Sequence, residues 1–145
     1  MQAAAEPPVV RAAAPSGARI THDVADVAAL HHVHETCARA MLRASEIAHL
    51  HVGTRVLVLH GDTFPPVDGE PDGRATLARA WKGRLHLRLA EIAPVLGVSI
   101  ATLSRICARR EMPAMFDGVR WVIERDVLVR WLLRCRVPAR REVAA

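Results

Sequence analysis

The residues best placed to do chemistry are arginines set among small side chains. Across Ser99–Arg110 a helical period puts Ala101, Arg105, Ala108 and Arg109 on one face, with Thr102 and Ser104 at its edges. Leu103, Ile106 and Cys107 take the opposite face. A guanidinium flanked by alanines lets a helix backbone come close to a nucleic acid and still reach a base edge or a phosphate. Ser99 is a good helix N-cap, and it stands where first-turn N–H groups would hold a phosphate. Arg110 extends the basic end of the stretch, and Arg120 lies beside an Asp117-Gly118 turn.

Other chemistries have less behind them. His31, His32 and His34, with Cys37 three residues on, have spacings that suit a metal on a helix. On one helix, however, His31 falls on the polar face, His34 on its border and Cys37 on the apolar face. The set does not converge, so no metal and no other cofactor is expected. The carboxylates of residues 61–73 sit among Gly and Pro as turn residues. No Gly-rich phosphate loop is present, and no Ser or Cys nucleophile stands in a recognisable frame, so an enzyme is not expected.

Charge supports a polyanion partner. Of the 145 residues, 1–75 carry six Arg and nine Asp/Glu, and 76–145 carry fourteen Arg/Lys and six Asp/Glu. That asymmetry points to one half facing a polyanion. Lys82 is the only lysine. Three cysteines, Cys37, Cys107 and Cys135, without CxxC spacing suit a reducing cytoplasm. The opening residues have no basic stretch followed by an apolar run, so no secretory signal is expected. No stretch approaches the roughly 18 apolar residues of a membrane span.

The elements that must position these arginines follow from periodicity. Residues 1–20, rich in Ala and Pro, read as a disordered tail. Residues 22–50 read as one amphipathic helix with Leu30, Val33, Cys37, Ala40, Met41, Ala44, Ile47 and Ala48 on its apolar face. That face needs a partner, either the rest of the chain or a second copy. Thr54–His60 reads as a short strand and 61–74 as a linker at which the charge changes sign. A short helix over 75–82 leads into the basic half. Leu89, Ile92, Ala93 and Leu96 follow a buried helical face, and Gly97 stands where such a helix would stop. Met115–Ile123 reads as two short strands around Asp117-Gly118, a hairpin signal. Asp126–Arg136 returns to helical spacing, with Trp121 and Trp131 as core anchors.

Taken in order, Leu89–Ser99, Thr102, Arg105, Met112-Pro113, Gly118, Arg120-Trp121, Ile123 and Trp131-Leu132 resemble the excisionase-type, MerR-like winged helix-turn-helix family. The resemblance implies a tri-helical core, a recognition helix at 99–110, a wing at 115–123, and DNA binding of the kind seen in bacterial or phage regulators and recombination factors. The sequence departs from that pattern at Arg88, where a Ser/Thr cap is usual, and at Pro94, inside the first helix. It departs again at Ile100 and Ala101, where polar or basic residues are common, and at Asp126, one place early.

The expected fold is therefore mainly α with a small β-hairpin: a winged helix-turn-helix over 75–137, preceded by an amphipathic helix and short strand over 21–60. A basic tail is expected over 138–145, with Arg134, Arg136, Arg140 and Arg141 available to phosphates. The expected activity is binding of double-stranded DNA through Ser99, Ala101, Thr102, Arg105, Arg109, Arg110 and Arg120. A homodimer or partner protein would be joined through the 22–50 helix. The other reading is a protein-interaction module in a phage packaging or transcription assembly.

Overall fold

A computed structural model describes residues 18–64 and 71–144. The expected disordered tail up to residue 17, the middle of the expected linker and the last residue of the expected basic tail lie outside them. In chain order the elements are β1 (Thr21–His22), α1 (Val24–His31), α2 (Glu35–Arg43), β2 (His49–Val52), β3 (Arg55–Leu59) and α3 (Gly73–Arg79). Then follow β4 (His86–Arg88), α4 (Leu89–Leu96), α5 (Ile100–Ala108), β5 (Met115–Phe116), β6 (Trp121–Glu124), α6 (Arg125–Cys135), β7 (Arg136–Val137) and α7 (Arg140–Ala144).

The single helix expected over 22–50 is instead two helices flanked by strands. Asp23 caps α1: its Oδ1 accepts from the Asp26 N–H at 2.8 Å, and Asp26 Oδ2 accepts from the Asp23 N–H at 3.1 Å. His32, in the left-handed conformation at φ 56°, ends the helix. His34 then starts the next one, its Nδ1 accepting from the Thr36 N–H at 3.1 Å. This break resets the helical phase. The residues that pack inward are Val27, Ala28, Ala38, Leu42 and Ile47, joined by Val58 of β3. Leu30, 40 % exposed, and Val33 and Cys37, also exposed, lie outside that cluster. A face drawn at one uninterrupted phase could not separate these sets.

The strand content also exceeds the hairpin and one short strand expected, and the fold is a mixed α/β one. A four-stranded antiparallel sheet has the order β1-β3-β2-β7, and a three-stranded one the order β4-β6-β5. β2 and β3 form a tight hairpin, Leu50 opposite Leu57 and Val52 opposite Arg55, with Gly53 at φ 62° in the turn. The other strands are two to four residues long, too short to carry much alternation, and all but the β5–β6 hairpin are completed by a partner distant in sequence.

The core does not divide at the 61–74 segment where the charge changes sign. Leu50, Val52, Leu57 and Leu59 share one buried cluster with Leu77, Leu87, Leu96, Leu103, Leu128 and Leu132. Two polar devices reinforce that union. Residues 20–21 strap the first sheet to the end of α4: the Ile20 N–H donates to the Val95 carbonyl at 2.8 Å, and Thr21 Oγ1 donates to the Leu96 carbonyl at 2.7 Å. The second device is an ion cluster. Arg136 donates through Nε and Nη2 to both oxygens of Asp62, each at 2.9 Å, and through Nη1 and Nη2 to Glu142 at 3.1 Å. The side chains of Arg136 and Asp62 are only 5 % and 2 % exposed.

Arg136 is thus not available to a phosphate, contrary to the basic-tail expectation. Most of the tail folds back as α7, with Ala139 buried and the Arg140 N–H donating to the Ser45 carbonyl at 2.8 Å. The lead-in helix starts two residues earlier than expected, because Asp72 caps it, accepting from Arg74 N–H at 3.0 Å and Ala75 N–H at 3.3 Å.

Two outcomes test this architecture. Arg136→Ala leaves Asp62 buried without its cation and is expected to destabilise the protein by about 3–5 kcal/mol, read from urea unfolding curves; a loss below 1 kcal/mol would show that the cluster does not hold the halves together. The second concerns His60, whose ring lies 4.3 Å from that of His22. Burial and then the His22 ring push its pKa down from 6.5 to about 4. The unfolded chain binds that proton near 6.5 and the folded chain does not. Stability is therefore complete above pH 6.5 and falls as pH drops towards 4. His60→Gln should make the fall of thermal stability across that window shallower, with half-buried His22 and buried His49, also held below 6.5, leaving a residual slope; an unchanged slope would refute the assignment.

Candidate nucleic-acid interface

The site is built on α4 and α5. α4 buries Leu89, Ile92, Ala93, Val95 and Leu96. At its start Arg88 offers no side-chain cap, as its chemistry dictates, but the reciprocal bond is made: a Glu91 carboxylate oxygen accepts from the Arg88 N–H at 3.0 Å. That bond, with the Arg84 and Arg88 guanidiniums nearby, holds Glu91 below the usual carboxylate range. Pro94 is accommodated because it lies in the last turn of a short helix, on the exposed side, with the Ala90 residue whose carbonyl it leaves free also exposed.

Gly97 then turns the chain at φ 72°, its N–H donating to the Ala93 carbonyl at 2.8 Å. A Cβ at this position would meet the end of the flexible Arg19 side chain, which can move aside, so it is the left-handed conformation that favours glycine here. Val98 is buried at the turn. The axes of α4 and α5 differ by 117°, within the range of a helix-turn-helix.

α5 buries Leu103, Ile106 and Cys107 and exposes the face predicted from its spacing. Ser99 Oγ accepts from the Thr102 N–H at 3.1 Å and donates to Thr102 Oγ1 at 2.9 Å. Arg105 Nη2 donates to the same Thr102 Oγ1 at 3.3 Å. Ser99, Thr102 and Arg105 thus form one side-chain chain up the exposed face, with Ala101 exposed beside it. Arg109 follows one turn beyond Arg105. Arg110 has left the helix at φ 62° and lies exposed at its C-terminal end. Ile100, 51 % exposed, stands on the open side of the first turn.

Arg120 belongs to a separate element. β5 and β6 pair Met115 with Val122 and Phe116 with Trp121. In the intervening turn Asp117 Oδ1 accepts from the Val119 and Arg120 N–H groups at 2.9 and 2.8 Å, and Gly118 takes φ 99°. These bonds, Arg120's first, hold the Asp117 carboxyl below its ordinary range. The Arg120 side chain is exposed, and no hydrogen bond joins it to the α5 chain among the described residues.

What it does meet is a group that sequence reasoning missed. β4 pairs with β6, Arg88 opposite Val122. The pairing closes a shallow cleft of about 350 Å3 in which Arg84, Arg88 and Arg120 gather with His86, against Glu91 and Asp117. Three guanidiniums against two carboxylates leave a positive cleft beside the hairpin. The only local signal is the polar-apolar-polar alternation of His86-Leu87-Arg88, too short to mark a strand.

The expected metal-spaced set diverges. His31 Nε2 donates to the Thr63 carbonyl at 2.7 Å, His34 caps α2, and Cys37 is exposed. Among the described residues no group of three or more His, Cys, Asp or Glu converges. No single helix there is long and apolar enough to cross a membrane. Trp121 and Trp131 are half-buried and pack against the main core.

No curated protein and no solved structure matches the chain. A family model does: residues 87–136, about a third of the chain and the stretch running from β4 to the start of β7, are similar to the family described as a helix-turn-helix domain, a DNA-binding fold whose bend, turn and exposed second helix are those of α4, Gly97 and α5.

Proposed function

We propose that this protein is a DNA-binding factor of the winged helix-turn-helix kind, a bacterial or phage transcription regulator or excisionase-like protein, and not an enzyme. The observation that carries the reading is the Ser99–Thr102–Arg105 chain on the exposed face of α5. Thr102 preorganises Arg105, so the guanidinium loses less freedom when it meets a base or phosphate. In this reading α5 enters the major groove, with the first-turn N–H groups and Ser99 on a phosphate. The β5–β6 hairpin is the wing, and Arg120 with Arg84 and Arg88 meets the backbone alongside. Arg109 and Arg110 meet phosphates at the far end of α5.

With Arg105 and Arg109 as the long groups on a face otherwise made of alanines and short hydroxyls, backbone contacts supply most of the affinity. A partner at the N-terminal segment would meet Leu30 and Val33, the apolar residues exposed there. Such a factor works in the cytoplasm of its host, where three free cysteines stay reduced.

A second reading has one observation in its favour. Ile100 and Ala101 expose apolar surface at the point where a groove-reading helix often carries polar groups. A protein-interaction module in a phage packaging or transcription assembly would use that surface.

Gel shifts on random and selected duplexes across a salt series separate the two. Binding that weakens steeply with salt is expected, and failure to bind any duplex at low salt would favour the module. Arg105→Ala should cost about 1–3 kcal/mol on the preferred site and relax preference at one base pair. Arg120→Ala should weaken all duplexes alike and lower the salt slope. Equal weakening by Arg105→Ala on every duplex would remove the base-reading role.

A further inference from the structure

A second cleft lies far along the chain from the arginines above. It has a volume of about 470 Å3 between α2 and the four-stranded sheet. Val24, Leu42, Val56 and Val137 give it apolar walls, one residue each from α1, α2, β3 and β7. Its polar groups are Ser45 and two pairs, one on α2 and one on β2. Arg39 and Arg43, at i and i+4 on α2, share one helix face. His49 and His51, at i and i+2 on β2, share one sheet face, their rings 4.9 Å apart edge to face.

The charge state of these groups is legible. Arg39 has one exposed carboxylate neighbour, Glu35, at 3.4 Å. Among the described residues no carboxylate pairs with Arg43. His49 is 95 % buried, and its Nδ1–H donates to the Ile47 carbonyl at 2.9 Å. A carbonyl can only accept, so Nδ1 carries the proton and Nε2 is left as an acceptor with no partner among the described residues. Burial favours the neutral ring. A buried acceptor without a donor, beside an apolar wall and a free guanidinium, is a set of groups that a ligand would complete.

We propose that this cleft binds a small carboxylic acid with an apolar, ring-sized body and a hydroxyl group. The carboxylate meets Arg43 and Arg39 at the rim, the body lies against Val24, Leu42, Val56 and Val137, and the hydroxyl donates to His49 Nε2. The proposal does not depend on DNA binding. An amine would be repelled by the two guanidiniums, and a neutral alcohol would gain the walls and a His49 bond but nothing from the guanidiniums.

The test uses the full chain, 15N-labelled, titrated with benzoate, 3- and 4-hydroxybenzoate, benzyl alcohol and benzylamine. Saturable amide shifts confined to residues 24, 39–45, 49–51, 56 and 137 are expected with the acids. Benzyl alcohol should bind about tenfold more weakly than benzoate, and benzylamine not at all. One hydroxybenzoate should bind more tightly than benzoate. Arg39→Gln/Arg43→Gln, both exposed and outside the core, should keep the spectrum of the folded protein and lose about tenfold in benzoate affinity. The proposal is overturned if no acid gives saturable shifts at this cleft, if benzyl alcohol matches benzoate, or if the double variant binds benzoate unchanged. If neither hydroxybenzoate exceeds benzoate, the His49 contact is wrong.

Discussion

The contact between Arg136 and Asp62 is the constraint on which the rest of the structure depends. One residue does two jobs there. The backbone of Arg136 pairs with Leu50 as part of β7, closing the edge of the N-terminal sheet, while its guanidinium reaches Asp62 at the end of β3 and Glu142 on α7. Asp62 in turn accepts from the Gly73 N–H at 2.9 Å, which fixes the start of α3. Gly73 has to be glycine, since a Cβ would run into the Asp62 carboxylate. Arg136 and Asp62 are out of water, so the cluster is stable only because four Arg136 bonds and the Gly73 N–H match most of its donors and acceptors. Glu142 shows this: burial pushes its carboxyl up, but the Arg136 bonds outweigh that and hold it below its ordinary range.

This weld determines how the helix-turn-helix segment is supported. It ends at residue 136, the residue locked into the N-terminal sheet. At its other side, the 20–21 strap bonds the carbonyls of Val95 and Leu96, the last residues of α4 before the Gly97 turn. Arg125 adds a third tie, donating to the Ala80 carbonyl at 2.9 Å and so joining α6 to the end of α3. The exposed face of α5 therefore stands on a rigid base, which is what a groove-reading helix requires. A mildly acidic N-terminal half and a basic C-terminal half fold as one core, because their apolar strands and helices interleave even though their surface charges differ.

How far the sequence could be read depended on the range of the interactions. The α4–Gly97–α5 unit was legible because helical spacing, a left-handed glycine and a serine cap act within one or two turns. The Asp117-Gly118 turn was legible for the same reason. The N-terminal region was misread because two caps, at Asp23 and His34, lie inside what looked like a continuous apolar period. Neither residue is apolar: Asp23 stands at the start of the expected helix and His34 on the border of its polar face, so neither interrupts the apolar period. Arg136 was misread as tail charge because its partner is 74 residues away.

By itself, the sequence determined the helix-turn-helix, its buried and exposed faces and the place of Arg105 between alanines, since period, cap and turn are local properties of the chain. Tertiary structure alone decided that Arg84 and Arg88 join Arg120, that Arg136 is buried and structural, and that Arg39, Arg43, His49 and His51 line one cleft. Each of those outcomes depends on short strands pairing across long separations. A strand of two to four residues carries too little pattern of its own to announce its partner.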